Sequence, residues 1–169
     1  PQALARKLFF TSPVLVRLRR MVEPCLQEDL GHGLYHSTRV CLDTATLIAV
    51  ELEADQIQPI KRERLMQLGL IGGLLHDICR NEEQHAAAGA LKAARILRRF
   101  PLGAREVQGI CRAISNHEAF TAPLPCDPPW WQLISDCLYD ADKFRWGPDT
   151  FTHTLWYMVD HPVSYTHLT

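Results

Sequence analysis

The chain has 169 residues, of which 47% are hydrophobic and 22% charged, with a formal net charge of −1 at pH 7. That is enough apolar material for one packed core, and the near-neutral balance gives no general pull toward nucleic acid or an anionic membrane. No apolar stretch is long enough to cross a bilayer.

The first ten residues carry basic groups, but their apolar run is too short for a signal peptide. The first residue is not Met, so the native start is expected to be missing. Pro13 followed by Val14, Leu15, Leu18, Met21 and Val22 predicts a first amphipathic helix that ends near Pro24. Gly31-His-Gly33 is a break, and Ser37 or Thr38 lies near the next helix start. That helix runs through Val40, Leu42, Ala45, Leu47, Ile48, Val50 and Leu52. Pro59 marks a loop, and residues 61–79 read as a helix carrying His76-Asp77 near its C-terminal end. A polar turn over residues 80–83 leads to a helix over 84–100, whose small residues at 86–90 allow close approach to another helix.

Pro101 and Gly103 stop that helix. Residues 104–117 form the next, with Val107, Ile110, Cys111 and Ile114 on one face. Four prolines between 121 and 129 make a loop. Residues 130–142 are helical again, and a last helix is expected to begin near Asp149. With no period-2 pattern, repeat or linker, the expected architecture is a single-domain, all-α helical bundle over residues 1–162, its motifs concentrated in 29–146. Residues 163–169 back-translate to the end of a transposon-type sequencing adapter and are expected to be a non-native tail. The six cysteines are scattered without a CxxC pair. They read as buried hydrophobes or free thiols of a reducing compartment, which argues against a zinc ribbon and for a cytoplasmic protein.

One feature of the pattern carries chemistry. The apolar run 68–75 closes on His76-Asp77, and an ionisable pair ending a buried helix is costly unless something pairs with both groups. Further candidate metal ligands follow one order along the chain: His36, then His76-Asp77, His85, His117 and Asp142. Imidazole and carboxylate donors on separate helices suit divalent first-row metals held in the core of a bundle.

The order His…His-Asp…Asp resembles the signature of the HD-domain metal-dependent phosphohydrolases. The contexts His36-Ser-Thr-Arg-Val40, Gly73-Leu-Leu-His-Asp-Ile78 and Asp140-Ala-Asp-Lys-Phe144 are similar to it as well. His85 and His117 resemble the two extra histidines of binuclear members, including the diadenosine tetraphosphatase branch. The resemblance implies that His36, His76, Asp77 and Asp142 hold a first metal, that Asp77 bridges to a second, and that His85 and His117 complete the second site. The chain departs from the tetraphosphatase branch in its short gap from Asp77 to His85 and in the Glu-Ala-Phe after His117. That branch's substrate is therefore not carried over.

The chemistry so implied is hydrolysis of a phosphate ester or anhydride in a nucleotide or other small phosphorylated metabolite. Two divalent ions (Fe, Mn, Co, Ni or Mg) would activate water for attack on phosphorus and neutralise the equatorial oxygens. Asp77 and Lys143 are the candidate catalytic residues, and Arg39, Arg80 and Lys143 the candidate phosphate contacts, each with a plain salt bridge as its alternative. His32 is a candidate outer partner, and Glu82 and Glu83 are candidate outer acid/base groups that a helix-start charge preference explains equally well. Trp130, Trp131, Tyr139, Phe144 and Trp146 are mostly expected in the core, with base stacking as the alternative. Two other classes share the ligand pattern: a di-iron oxygenase acting on a small metabolite, and a non-catalytic nucleotide-sensing domain. No nucleic acid or membrane partner is expected.

Overall fold

Proline sets where three of the helices begin. Pro13, Pro59 and Pro129 each occupy the first helical position, where the ring's fixed φ suits the helix and its missing N–H would have had no partner. The computed structural model describes residues 1–26, 33–53 and 57–144. Its helices are α1 (Gln2–Thr11), α2 (Pro13–Val22), α3 (Leu34–Glu51), α4 (Pro59–Leu75), α5 (His85–Leu97), α6 (Ala104–Ser115) and α7 (Pro129–Lys143), with a 3-10 turn over Glu23–Cys25. Among the described residues there is no strand, so the domain is all-α. The helix expected near Asp149 and the tail at 163–169 lie outside the described residues.

α4 is the central element. Its second half, from Leu65 onward, is buried on almost every side, as expected of a helix without a polar face. α1, α2, α3, α6 and α7 all pack on it, and α3 makes the most extensive contact. Glycines permit that closeness. A Cβ on Gly73 would stand 2.5 Å from the Cα of Cys41 on α3, and one on Gly69 would meet the Ile48 side chain at 2.4 Å. α5 pairs with α6, and α6 with α7. The indole of Trp131 lies directly on Gly109, where a Cβ would come within 2.2 Å of the ring.

Several features differ from the sequence reading: Pro59, read as marking a loop, is the first residue of α4, and the helix expected over 84–100 ends at Leu97. α1 is an extra helix before Pro13, burying Ala5, Leu8 and Phe9 at i, i+3, i+4 spacing; its apolar stripe is too short to stand out in the sequence. The helix expected over 61–79 ends at Leu75, leaving His76-Asp77 in the following turn. The His76 Nδ1–H donates to the carbonyl of Gly73 at 2.7 Å, the same carbonyl that the amide of Asp77 would need to continue the helix. Short turns then close from Ile78 N–H to Leu75 and from Arg80 N–H to Asp77.

On the surface, Arg64 grips Glu106 with two hydrogen bonds of 2.7 Å, and Glu106 also accepts from the Gly103 N–H at the start of α6. The Arg64 bonds hold the Glu106 carboxyl below its ordinary value of 4.5. A depressed carboxyl contributes stability that is present above the unfolded value and lost as pH falls through the lower folded value. Wild type should therefore lose its stability advantage over E106Q as pH is lowered from the ordinary value of 4.5 through the depressed folded-state value; an advantage independent of pH in urea denaturation would remove Glu106 from this role. Gly73→Ala should cost about 1–3 kcal/mol, because the Cys41 backbone it meets cannot turn aside. Chemical denaturation measures this, and a loss under about 0.5 kcal/mol would mean that the two helices can separate freely.

Candidate metal centre

Five elements deliver the polar groups of the centre. His36 lies in the first turn of α3, His76 and Asp77 in the turn after α4, and His85 at the first position of α5. His117 follows the end of α6, and Asp142 lies in the last turn of α7. Gln84 adopts a left-handed conformation, φ 52°, at the corner before His85. The small patch on α5 also has a use here: Gly89 lets that helix approach so closely that a Cβ would stand 3.2 Å from the His76 carbonyl oxygen.

The two oxygens of Asp77 face different neighbours. Oδ2 lies 3.4 Å from His76 Nε2 and 3.8 Å from His36 Nε2. Asp142 Oδ1 is on the same side, 3.2 Å from His36 Nε2 and 3.6 Å from His76 Nε2. Oδ1 of Asp77 lies 3.5 Å from His117 Nε2 and 4.0 Å from His85 Nε2. In each of two groups, His36/His76/Asp142 and His76/Asp77/His117, the ligand atoms all lie within 4.8 Å of one another. His76, Asp77 and His117 are almost wholly buried, Asp77 with 1% of its side-chain surface exposed.

These groups could hold a metal, and three observations support the fit. Nε2 of His76 and Nε2 of His117 are buried without a hydrogen-bond partner, a costly arrangement that metal coordination would relieve. Most of the separations are too long for a good hydrogen bond. They run from 3.2 to 4.0 Å, from within to somewhat beyond the roughly 3.0–3.4 Å expected for neighbouring donors about 2.1 Å from a shared ion. The ring orientation is set from behind: the Nδ1–H of His76 donates to the Gly73 carbonyl, and that of His117 donates to the Ile114 carbonyl at 2.6 Å. A carbonyl can only accept, so Nδ1 carries hydrogen and Nε2 is the atom presented inward.

Charge is unevenly held among these groups. Burial alone would lower the His76 imidazole, but the carboxylates of Asp77 and Asp142 outweigh it and push the ring up to about 10. Burial would raise Asp142, yet the neighbouring His36 and His76 rings, with Lys143 adding its charge, hold it well below the usual carboxylate range. His85 is lowered, first by burial and then by the positive field of His117 and Arg80.

The basic residues singled out from the sequence take distinct positions. Lys143 pairs with Asp142, Nζ to Oδ2 at 2.6 Å. Arg80 turns inward, its Nη1 3.3 Å from His85 Nε2 and 3.7 Å from Asp77 Oδ1. Arg39 is half-buried one turn beyond His36, with its Nε buried and without a hydrogen-bond partner. Glu82 and Glu83 are exposed in the turn. Trp131 is core, Tyr139 half-buried and Phe144 exposed, and Trp130 carries Lys61 over its ring at 4.6 Å. His32 and Trp146 lie outside the described residues.

Sequence reasoning missed the supports. The Gly73 and Ile114 carbonyls are backbone groups with no residue-type signal. Asn116 is a side chain that the reading passed over: its Nδ2 donates to the Leu124 carbonyl at 2.8 Å and to Ser135 Oγ at 3.1 Å, and its Oδ1 accepts from the Leu124 N–H at 3.0 Å. It ties the proline-rich loop to α7 immediately beside His117. A buried amide next to a candidate ligand was the available clue.

In chelator-treated protein the His76 ring should stay protonated through neutral pH. Its stabilisation is complete below the ordinary value of 6.5 and is lost as pH rises through about 10. An NMR titration of the imidazole resonances checks this, and a His76 signal titrating near 6.5 would show that the carboxylates do not bear on it.

In comparisons with known proteins, no family model, no curated protein and no solved structure matches this chain.

Proposed function

We propose that this chain is a metal-dependent phosphohydrolase of the HD-domain type, acting on a nucleotide or other small phosphorylated metabolite. The observation that carries the reading is the division of the Asp77 carboxylate between two sets of histidines, with Asp142 beside the first. His36, His76, Asp142 and Asp77 Oδ2 would hold one divalent ion; Asp77 Oδ1, His117 and His85 would hold a second. Bound ions supply Lewis acidity, which acidifies water and neutralises charge on phosphate oxygens.

The protein's own groups do the rest. The Gly73 and Ile114 carbonyls fix the tautomers and ring planes, so no reorganisation is needed when substrate arrives. Burial of His76, Asp77 and His117 keeps bulk water from screening the centre. Lys143 neutralises Asp142 and projects positive charge beside it. Arg39, a guanidinium with a buried and unpartnered Nε one turn from His36, is suited to receive a phosphate oxygen.

The test combines metal content with turnover. Protein purified without chelator should carry first-row divalent metal and release phosphate from members of a nucleotide and sugar-phosphate panel in Mn2+ or Co2+. Substituting a ligand, as in Asp77→Asn or His36→Ala, should reduce turnover by about 100-fold or more with helicity retained. Arg39→Gln should raise KM about tenfold with a smaller change in kcat, as expected when uniform substrate binding is lost. Metal without phosphate release, accompanied by iron-dependent oxygen consumption, would overturn the hydrolase reading in favour of an oxygenase.

A further inference from the structure

The two halves of the centre are not equivalent, and the difference lies in Arg80. Around the first half, the basic residue Lys143 bonds the outer oxygen of Asp142, Oδ2, and leaves Oδ1 to the histidines. Around the second half, Arg80 faces the inner atoms themselves. Its Nη1 lies 3.3 Å from Nε2 of His85 and 3.7 Å from Oδ1 of Asp77, while those two atoms are 4.0 Å apart. One guanidinium nitrogen therefore addresses both groups that a cation in the second half would use.

We propose that Arg80 is a charge gate on the second half-site: it competes with the second divalent ion for His85 and Asp77, and an anionic phosphate draws it away. This rests on the proposed metal centre and adds an order of filling to it.

The reason is electrostatic. The ligand set contains two carboxylates, Asp77 and Asp142, so one divalent ion balances their charge. Lys143 and Arg80 then leave the neighbourhood positive, and a second ion would be bound against that excess. Arg80 is poised to leave, because its side chain is 38% exposed whereas that of Asp77 is 1% exposed. An arginine fork matches two oxygens of a phosphate better than one imidazole nitrogen and one distant carboxylate oxygen. Phosphate binding would thus supply negative charge and release His85 and Asp77 Oδ1 together. Linkage makes the effect reciprocal: an anion that strengthens the second ion must itself bind more tightly when that ion is present.

The experiment is a Co2+ titration of the chelator-stripped full chain, read by calorimetry and by the visible absorption of bound cobalt, with and without inorganic phosphate. Wild type should bind a first ion tightly and a second at least tenfold more weakly, with phosphate narrowing the gap. In Arg80→Gln the second ion should tighten about tenfold, the first should be unchanged, and phosphate should no longer matter. Arg80→Lys, which keeps the charge but not the fork, should keep the second ion weak while losing part of the response to phosphate. Two ions of unchanged affinities in Arg80→Gln would sink the gate while leaving the metal centre standing. A weakened second ion would overturn it too, by making Arg80 a support rather than a competitor. No cobalt bound by any form would remove the centre and the gate together.

Discussion

Asp77 is the side chain on which the rest of the structure depends, because a carboxylate with 1% of its surface exposed must be surrounded by positive or hydrogen-bonding groups. It has two oxygens and four imidazoles within 4.0 Å of them. No single helix could supply those rings. α3, α5 and α6 must each end or begin at this point, with α7 bringing Asp142 alongside. The bundle can be read as the means of bringing helix termini together, since terminal residues are the ones whose side chains can converge without burying a polar helix face.

Close packing of small residues gives the convergence its precision. The near contact of Gly73 with the α3 backbone fixes the spacing between the helix that carries His36 and the helix that ends at His76. Gly89 does the same for α5 against the His76 turn. The apolar side chains buried along α4 provide the driving force, since each fully buried Leu or Ile contributes about 1.5–3 kcal/mol. They do not choose the register, because Leu against Leu tolerates sliding. A glycine facing a backbone does not. The same Gly73 supplies the carbonyl that orients His76, so one residue serves both packing and ligand geometry.

Much of this was legible in the sequence because it is written in side-chain periodicity and residue type. The apolar spacing located α2, α3, α4, α5, α6 and α7 to within a few residues, and Pro13 marked the start of one of them. His36, His76, Asp77, His85, His117 and Asp142 were recognisable as a candidate set from their chemistry and order, and in the structure they come together. What stayed hidden is written in the backbone. The end of α4 at Leu75 coincides with a side chain donating to a main-chain carbonyl, and the ring tautomers follow from the same kind of bond. The inward turn of Arg80 toward His85 and Asp77 is a three-dimensional choice between solvent and its neighbours that no spacing rule encodes. α1 stayed hidden for a different reason, since three buried residues make too brief a pattern to register.

The Asn116 clamp divides the loop between α6 and α7 into parts with different freedom. Leu124 and Cys126 are fixed, the first by Asn116 and the second through its N–H to Gln132 at 3.1 Å. Thr121, Ala122 and Pro123 project into solvent between the clamp and His117. Lengthening a surface loop costs little entropy, and the clamp stops such a change from reaching the histidine. New recognition could therefore be written into that short stretch over evolutionary time without rebuilding any ligand-bearing helix.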